Sequence, residues 1–291
     1  MDEKILTRDQ VEKLGLSKVS VITADMLEGY TSIGYRTFYD CTNLVSIEIP
    51  NSVTSIGEIA FCGCKGLKSV TIPNSIVSIG KDAFAYCSGL TSIEIPNSVT
   101  SIGEFAFWGC ASLISIEVPN SVISIEGWTF WGCKSLTSVT IPNSVTSIGN
   151  GAFWGCTRLI SIEIPNSVTS IGAVAFRNCD SLTSLIIGDK SYKNQVIEDD
   201  KCIAYKAFNA NMTCKDFQYE EGKTYELDDE PILCQYGFHA CLNLADVFNY
   251  YKGTFKRDIV VHEVVLEDVS DKRKEDSKVV AKKITIGKRI L

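Results

Sequence analysis

The chain has 291 residues, 45% of them hydrophobic and 22% charged, with a formal net charge of −7. That balance excludes a disordered chain, and the negative charge works against nucleic acid or an anionic membrane surface as partner, since both would repel it. No apolar run approaches the ~18 residues that a membrane-spanning helix needs, so no membrane span is expected.

Residues 1–29 read as an N-terminal cap. Thr7-Arg8-Asp9-Gln10 has the Thr-x-x-Gln spacing of a capping box, and Gly15 is placed to end the short helix that follows. Lys18 to Thr23 alternates like a half-buried strand. Met1-Asp2-Glu3-Lys4 and the charged residues after it form neither a basic n-region nor a long apolar h-region, so no signal peptide is visible and a cytoplasmic setting is expected.

From residue 30 to residue 188 one pattern recurs every 23 residues. In one unit it runs Leu67-x-x-Val70-x-Ile72-Pro73-Asn74-x-Ile76-x-x-Ile79-Gly80-x-x-Ala83-Phe84-x-x-Cys87. Proline recurs at 50, 73, 96, 119, 142 and 165, and phenylalanine at 38, 61, 84, 107, 130, 153 and 176. Proline at that frequency excludes helices, while Leu-x-x-Ile-x-Ile alternates as a strand does. A unit this short cannot bury its apolar side alone, so neighbouring units must cover it. The expected architecture is mainly β: a right-handed solenoid with one parallel strand per coil. Cys41, Cys64, Cys87, Cys110, Cys133, Cys156 and Cys179 fall on the same period. Equivalent positions in adjacent coils stand about 4.7–4.9 Å apart, beyond the Cβ separation a disulfide needs. They read as buried, reduced thiols.

This repeat resembles the BspA-type leucine-rich repeat. The resemblance implies a leucine-rich-repeat solenoid of bacterial or phage-borne type and a role in adhesion or protein recognition, with a cell-surface or host-delivered location as its counterpart to the cytoplasmic reading. Within the array, Glu126 stands where the other units carry Gly.

After Gly188 the period stops. Residues 189–201 are polar and read as a linker. Residues 202–291 read as a small α+β domain, with strands expected at Ala204–Phe208, Val260–Glu267 and Val279–Ile286, a helix at Leu242–Tyr251 and a mixed-charge loop at Asp271–Asp276. Its strings resemble an uncharacterised domain that ends bacterial and phage repeat proteins.

Two surfaces are candidates for a protein partner. Between the core positions of each strand, serine recurs from Ser46 to Ser184, followed by Glu48, Thr71, Glu94, Glu117, Thr140, Glu163 and Ile186, which makes a polar strip with acidic spots. The position after the repeat phenylalanine is Tyr39, Cys62, Ala85, Trp108, Trp131, Trp154 and Arg177. Trp108, Trp131 and Trp154 would stack up one side, with Trp128 nearby. Tryptophan is enriched at binding hot spots, and the competing reading is a ladder that only stabilises adjacent coils.

In the tail, Cys234, His239 and Cys241, with Cys202 and Cys214 upstream, lack paired Cys-x-x-Cys knuckles, so no metal or other cofactor is assigned. The order Tyr205-Lys206-Ala207-Phe208, Gly237-Phe238-His239-Ala240-Cys241 and Val261-His262-Glu263-Val264 is similar to that of mono-ADP-ribosyltransferases. That likeness implies an alternative, a targeted effector with a pocket built from Tyr205, His239 and Glu263. Lys206 departs from that family's pattern, and its Ser-Thr-Ser turn is absent. The favoured reading is non-enzymatic, with no catalytic residue assigned.

Overall fold

The computed structural model describes residues 4–172, 174–188, 190–193, 201–209, 213–214, 217–226, 238–241, 247, 259–270 and 278–290. The cap begins with Ile5–Leu6, which pairs in parallel with Ser32–Ile33 of the first coil. Helix Arg8–Lys13 follows, and both arms of the Thr7–Gln10 capping box are formed. Gly15 then turns the chain at φ +70°. Of the expected strand from Lys18 to Thr23, only Val21–Ile22 is paired as a strand, against Ser46–Ile47. The chain before it is a 3-10 turn, Leu16–Lys18, bent so that Leu16 enters the core.

The repeats stack into a solenoid of parallel strands. One column is Ser46–Glu48, Ser69–Thr71, Ser115–Glu117, Ser138–Thr140, Ser161–Ile164 and Ser184–Ile187. Paired neighbours sit in identical register, serine opposite serine. Each proline closes the strand with a turn in which its carbonyl accepts from the backbone N–H three residues on, as in Val53 to Pro50 at 3.0 Å and Val122 to Pro119 at 3.1 Å. Beyond the turn each coil adds a second, two-residue strand, from Ser32–Ile33 to Ser170–Ile171, again stacked in register. The glycine after it lets successive coils touch backbone to backbone. A Cβ on Gly57, for example, would lie 2.8 Å from the Gly34 carbonyl carbon. Glu126, at the irregular unit, is half-buried and accepts a hydrogen bond from Ser124 at 2.6 Å.

Phenylalanines 38, 61, 84, 107, 130, 153 and 176 form a single interior column, ring on ring at 5.1 to 5.6 Å and within 12° of parallel. Beside them the repeat cysteines are free thiols. From Cys64 onward each donates to a phenylalanine carbonyl of the preceding coil, as Cys64 does to Phe38 at 3.0 Å and Cys110 to Phe84 at 3.2 Å, while Cys41 in the first coil accepts from Arg8 at 3.2 Å. Burial in this apolar column pushes the Cys64 and Cys179 thiols up to about 12. Those of Cys87, Cys110, Cys133 and Cys156 are held well above their ordinary value for the same reason.

Within the segment expected as a linker, Lys190–Lys193 folds back antiparallel on Ser184–Ile187 and adds a strand to the last coil. The C-terminal region is an antiparallel sheet. Strands Ile259–Ser270 and Lys278–Arg289 pair with each other, and Lys201–Asn209 pairs along the other side of the first. Phe238–Cys241 bonds to both Lys278–Ala281 and Tyr205, which closes the four strands into a ring. Thr224–Glu226 adds beside Lys283–Thr285. The three expected strands are present and longer at both ends. Of the expected helix Leu242–Tyr251 only Val247 is described, and the loop Asp271–Asp276 lies outside the described residues. Val264, Leu266, Ile284 and Ile286 fill the sheet, while Cys241, Val247 and Val261 join the core of the solenoid.

Candidate functional site

Each coil turns its corner around the phenylalanine through two backbone positions of positive φ. The first is residue 36, 59, 82, 105, 128, 151 and 174, at φ between 55° and 61°. The second is residue 40, 63, 86, 109, 132, 155 and 178. The corner is tied to its neighbour by alternate backbone bonds, such as Trp128 N–H to the Asn150 carbonyl at 2.8 Å and Phe130 N–H to the Ala152 carbonyl at 2.8 Å. With the phenylalanine aimed inward, the residues flanking it line the outside of the corner.

There the three tryptophans stack. Trp108 and Trp131 are 4.9 Å apart and 7° from parallel, and Trp131 and Trp154 are 5.6 Å apart at 31°. The Arg177 guanidinium covers the far face of Trp154 at 4.4 Å, and Tyr86 leans on Trp108 at 4.4 Å. A second column runs alongside. Phe105 lies parallel to Trp128 at 6.2 Å, with Lys81 over it at 5.5 Å. Trp128 tilts against Trp131 at 5.3 Å and Trp154 at 5.4 Å. Gly151 makes room for this, because a Cβ there would lie 2.2 Å from Trp128 Cζ3.

The rings do form a ladder, and each stacked pair is worth about 0.5–1.5 kcal/mol. Their faces are occupied by one another, so what they present outward is a half-buried flank of indole edges. Phe105 at φ 58° and Trp128 at φ 61° hold bulky side chains in the left-handed region, at about 1–2 kcal/mol each. The same position takes positive φ in every coil, at Arg36, Ile59, Asp82 and Val174 as well, so the strain belongs to the corner and not to the aromatics placed there. Sequence reasoning missed Phe105 and Tyr86. Phe105 was findable, since it and Trp128 both stand two residues before the repeat phenylalanine.

Glu94 and Glu117 lie exposed on the strand strip, not among the aromatic columns. In the tail, backbone register sets Tyr205 opposite both Glu263 and Cys241, and His239 is two residues before Cys241. Cys241, opposite Tyr205, and Val261, two residues before Glu263, are buried in the shared core. A different pair faces across the same strands. Lys206 is opposite His262, and both are buried, with the His262 Nδ1 3.8 Å from Glu221 and the Lys206 ammonium 5.6 Å from the Tyr219 ring centre. Among the described residues no group of His, Cys, Asp and Glu side chains is arranged to hold a metal. No helix among them is long and apolar enough to cross a membrane.

Stacked parallel strands, a phenylalanine spine and a proline-closed strand in each coil define a leucine-rich-repeat solenoid. Six copies of the BspA type leucine rich repeat region match over residues 16–136 and 77–203. The chain belongs to the BspA-type leucine-rich repeat proteins. Residues 202–291 match a domain of unknown function (DUF7666). Among solved structures the chain is similar to a leucine-rich repeat protein of T. pallidum, with 31% identity and a TM-score of 0.53 over 57% of this chain and 78% of that one. It is also similar to a leucine rich cell surface protein of Faecalibacterium prausnitzii, with 38% identity and a TM-score of 0.52 over 60% of this chain and 46% of that one. No curated protein matches the chain.

Proposed function

We propose that the chain is a non-enzymatic protein-recognition scaffold whose contact surface is the aromatic flank of Trp108, Trp131, Trp154, Trp128 and Phe105, with the acidic strip of Glu94 and Glu117 as a second contact. The observation that carries this is the packing of Phe105, Trp128, Trp108, Trp131 and Trp154 into a rigid double column of rings, half-buried along the outside of the corner. A preordered aromatic surface binds without the entropy cost of freezing side chains, and aromatic anchors dominate interface energies. The description of the F. prausnitzii relative as a cell surface protein supports an adhesive setting.

The test replaces Trp108, Trp131 and Trp154 with Phe together, which keeps a ring in each rung while removing the indole edge. Capture of the partner by the full chain is expected to fall at least about tenfold, equivalent to ~1.4 kcal/mol. Phe38→Ala, destabilised in the core but unchanged at the flank, is expected to bind normally below its melting point. Undiminished capture by the triple variant rejects the proposal.

A second reading, the targeted effector, draws on the register that sets Tyr205 against Glu263 with His239 on the adjoining strand. Incubation with labelled NAD decides it: absence of both transfer and hydrolysis removes the enzyme.

A further inference from the structure

The strand face carries a concavity at its N-terminal end. The 3-10 turn Ala24–Leu27 and Glu28 stand over the first two strands, and an open groove of about 820 Å³ runs between them and the sheet, past Glu48–Asn51 and Val70–Asn74 to Glu94 and Pro96. The ionisable residues lining it are Asp25, Glu28, Glu48 and Glu94, all exposed, and no lysine, arginine or histidine shares the lining. The field in a concavity of one sign selects its opposite.

The spacing narrows the choice further. Glu48 is in register with Thr71, and Glu94 is the same repeat position one coil beyond. Residues 91–96 form no strand, but the same two coils stack in register at Ser78–Ile79 and Ser101–Ile102, so two coil spacings put Glu94 roughly 9.6 Å from Glu48. A polyproline II helix returns to the same face every third residue, after about 9.3 Å, whereas an extended β-strand does so every ~6.8 Å. The floor also suits that conformation. Pro50, Pro73 and Pro96 supply rigid apolar surface, and exposed Asn51 and Asn74 supply amides to a polyproline II backbone, which has no internal hydrogen bonds.

We propose that this groove binds a proline-rich, cationic segment of the partner protein, in polyproline II conformation, with lysine or arginine at every third residue. Successive cations meet Glu48 and Glu94, and Asp25 and Glu28 receive the next one from the side of the cap. The assignment rests on the recognition role proposed above but not on the aromatic flank.

The test measures binding of fluorescent peptides to the full chain by anisotropy at low and physiological salt. One peptide carries Lys-Pro-Pro repeats, and a control of equal charge carries Lys-Pro repeats. The Lys-Pro-Pro peptide is expected to bind about tenfold more tightly than the control, and Glu48→Gln with Glu94→Gln to remove about that factor. The Trp108, Trp131 and Trp154 to Phe variant is expected to bind the peptide as the parent does, whatever it does to partner capture. Equal affinity for the two peptides, full binding by the double Gln variant, or equal loss in the aromatic variant overturns the proposal. So does a concentration-dependent dimer, occupying the groove, that the peptide fails to displace.

Discussion

Removing one ring from the phenylalanine spine should cost different amounts at its middle and at its end. Phe130 is 1% exposed and stacks on Phe107 at 5.6 Å and Phe153 at 5.4 Å. Phe38 is 0% exposed and stacks in the spine on Phe61 alone, at 5.1 Å. Their transfer from water is therefore the same, and the difference lies in ring contacts. Phe130→Ala should lose about 3–5 kcal/mol. Phe38→Ala should lose less by one stacked contact, about 0.5–1.5 kcal/mol. Because each coil contacts only its neighbours, the middle substitution also cuts the array in two, so its unfolding in urea should broaden or split. Urea titration followed by circular dichroism of both variants measures this. An equal loss at the two positions, or a loss below about 2 kcal/mol at Phe130, would refute the stacked-spine account.

Alkali should expose the thiol ladder. Folded-state thiols raised above the unfolded value of 9.0 stay protonated while the unfolded chain ionises. Stability should hold below about pH 9 and then fall by ~1.4 kcal/mol per pH unit for each buried thiol until the folded thiols ionise, near 12 for Cys64 and Cys179. Denaturant midpoints measured across that range check the slope, and rapid labelling of native Cys110 by a small thiol reagent would contradict it. Gly151→Ala should displace the Trp128 ring and strain a backbone at φ 58°, costing about 1–2 kcal/mol from the backbone alone, with a shift in tryptophan fluorescence as readout. Thr7→Ala should remove the cap of the first helix for about 1 kcal/mol and leave partner capture intact.

The spine, the proline stops and the long C-terminal strands were legible because their cause is local and repeated: an inward Phe every 23 residues, a missing donor at each Pro, and alternation in Val260–Glu267. The corner was not. Ile59, Asp82, Phe105 and Trp128 have no common preference for positive φ, and the stacked coils on either side impose it. Phe105 shares with Trp128 its spacing from the repeat phenylalanine, while the contact between the two rings follows only from the stacking of the corners. The polar strand Lys190–Lys193 forms because Ser184–Ile187 offers an open edge, a cause outside its own sequence. Closure of the tail depends on Tyr205 meeting Cys241 across a long separation, which no local pattern records. The tryptophan row was legible as a row, but its ring faces being covered by one another follows only from the stacking geometry.

Hydrogen–deuterium exchange of the full chain, with and without its captured partner, tests most directly whether the aromatic flank does the recognising. New protection is expected in the corners at 105–109, 128–132 and 151–155. Protection confined to 201–290, with those corners unchanged, would contradict it.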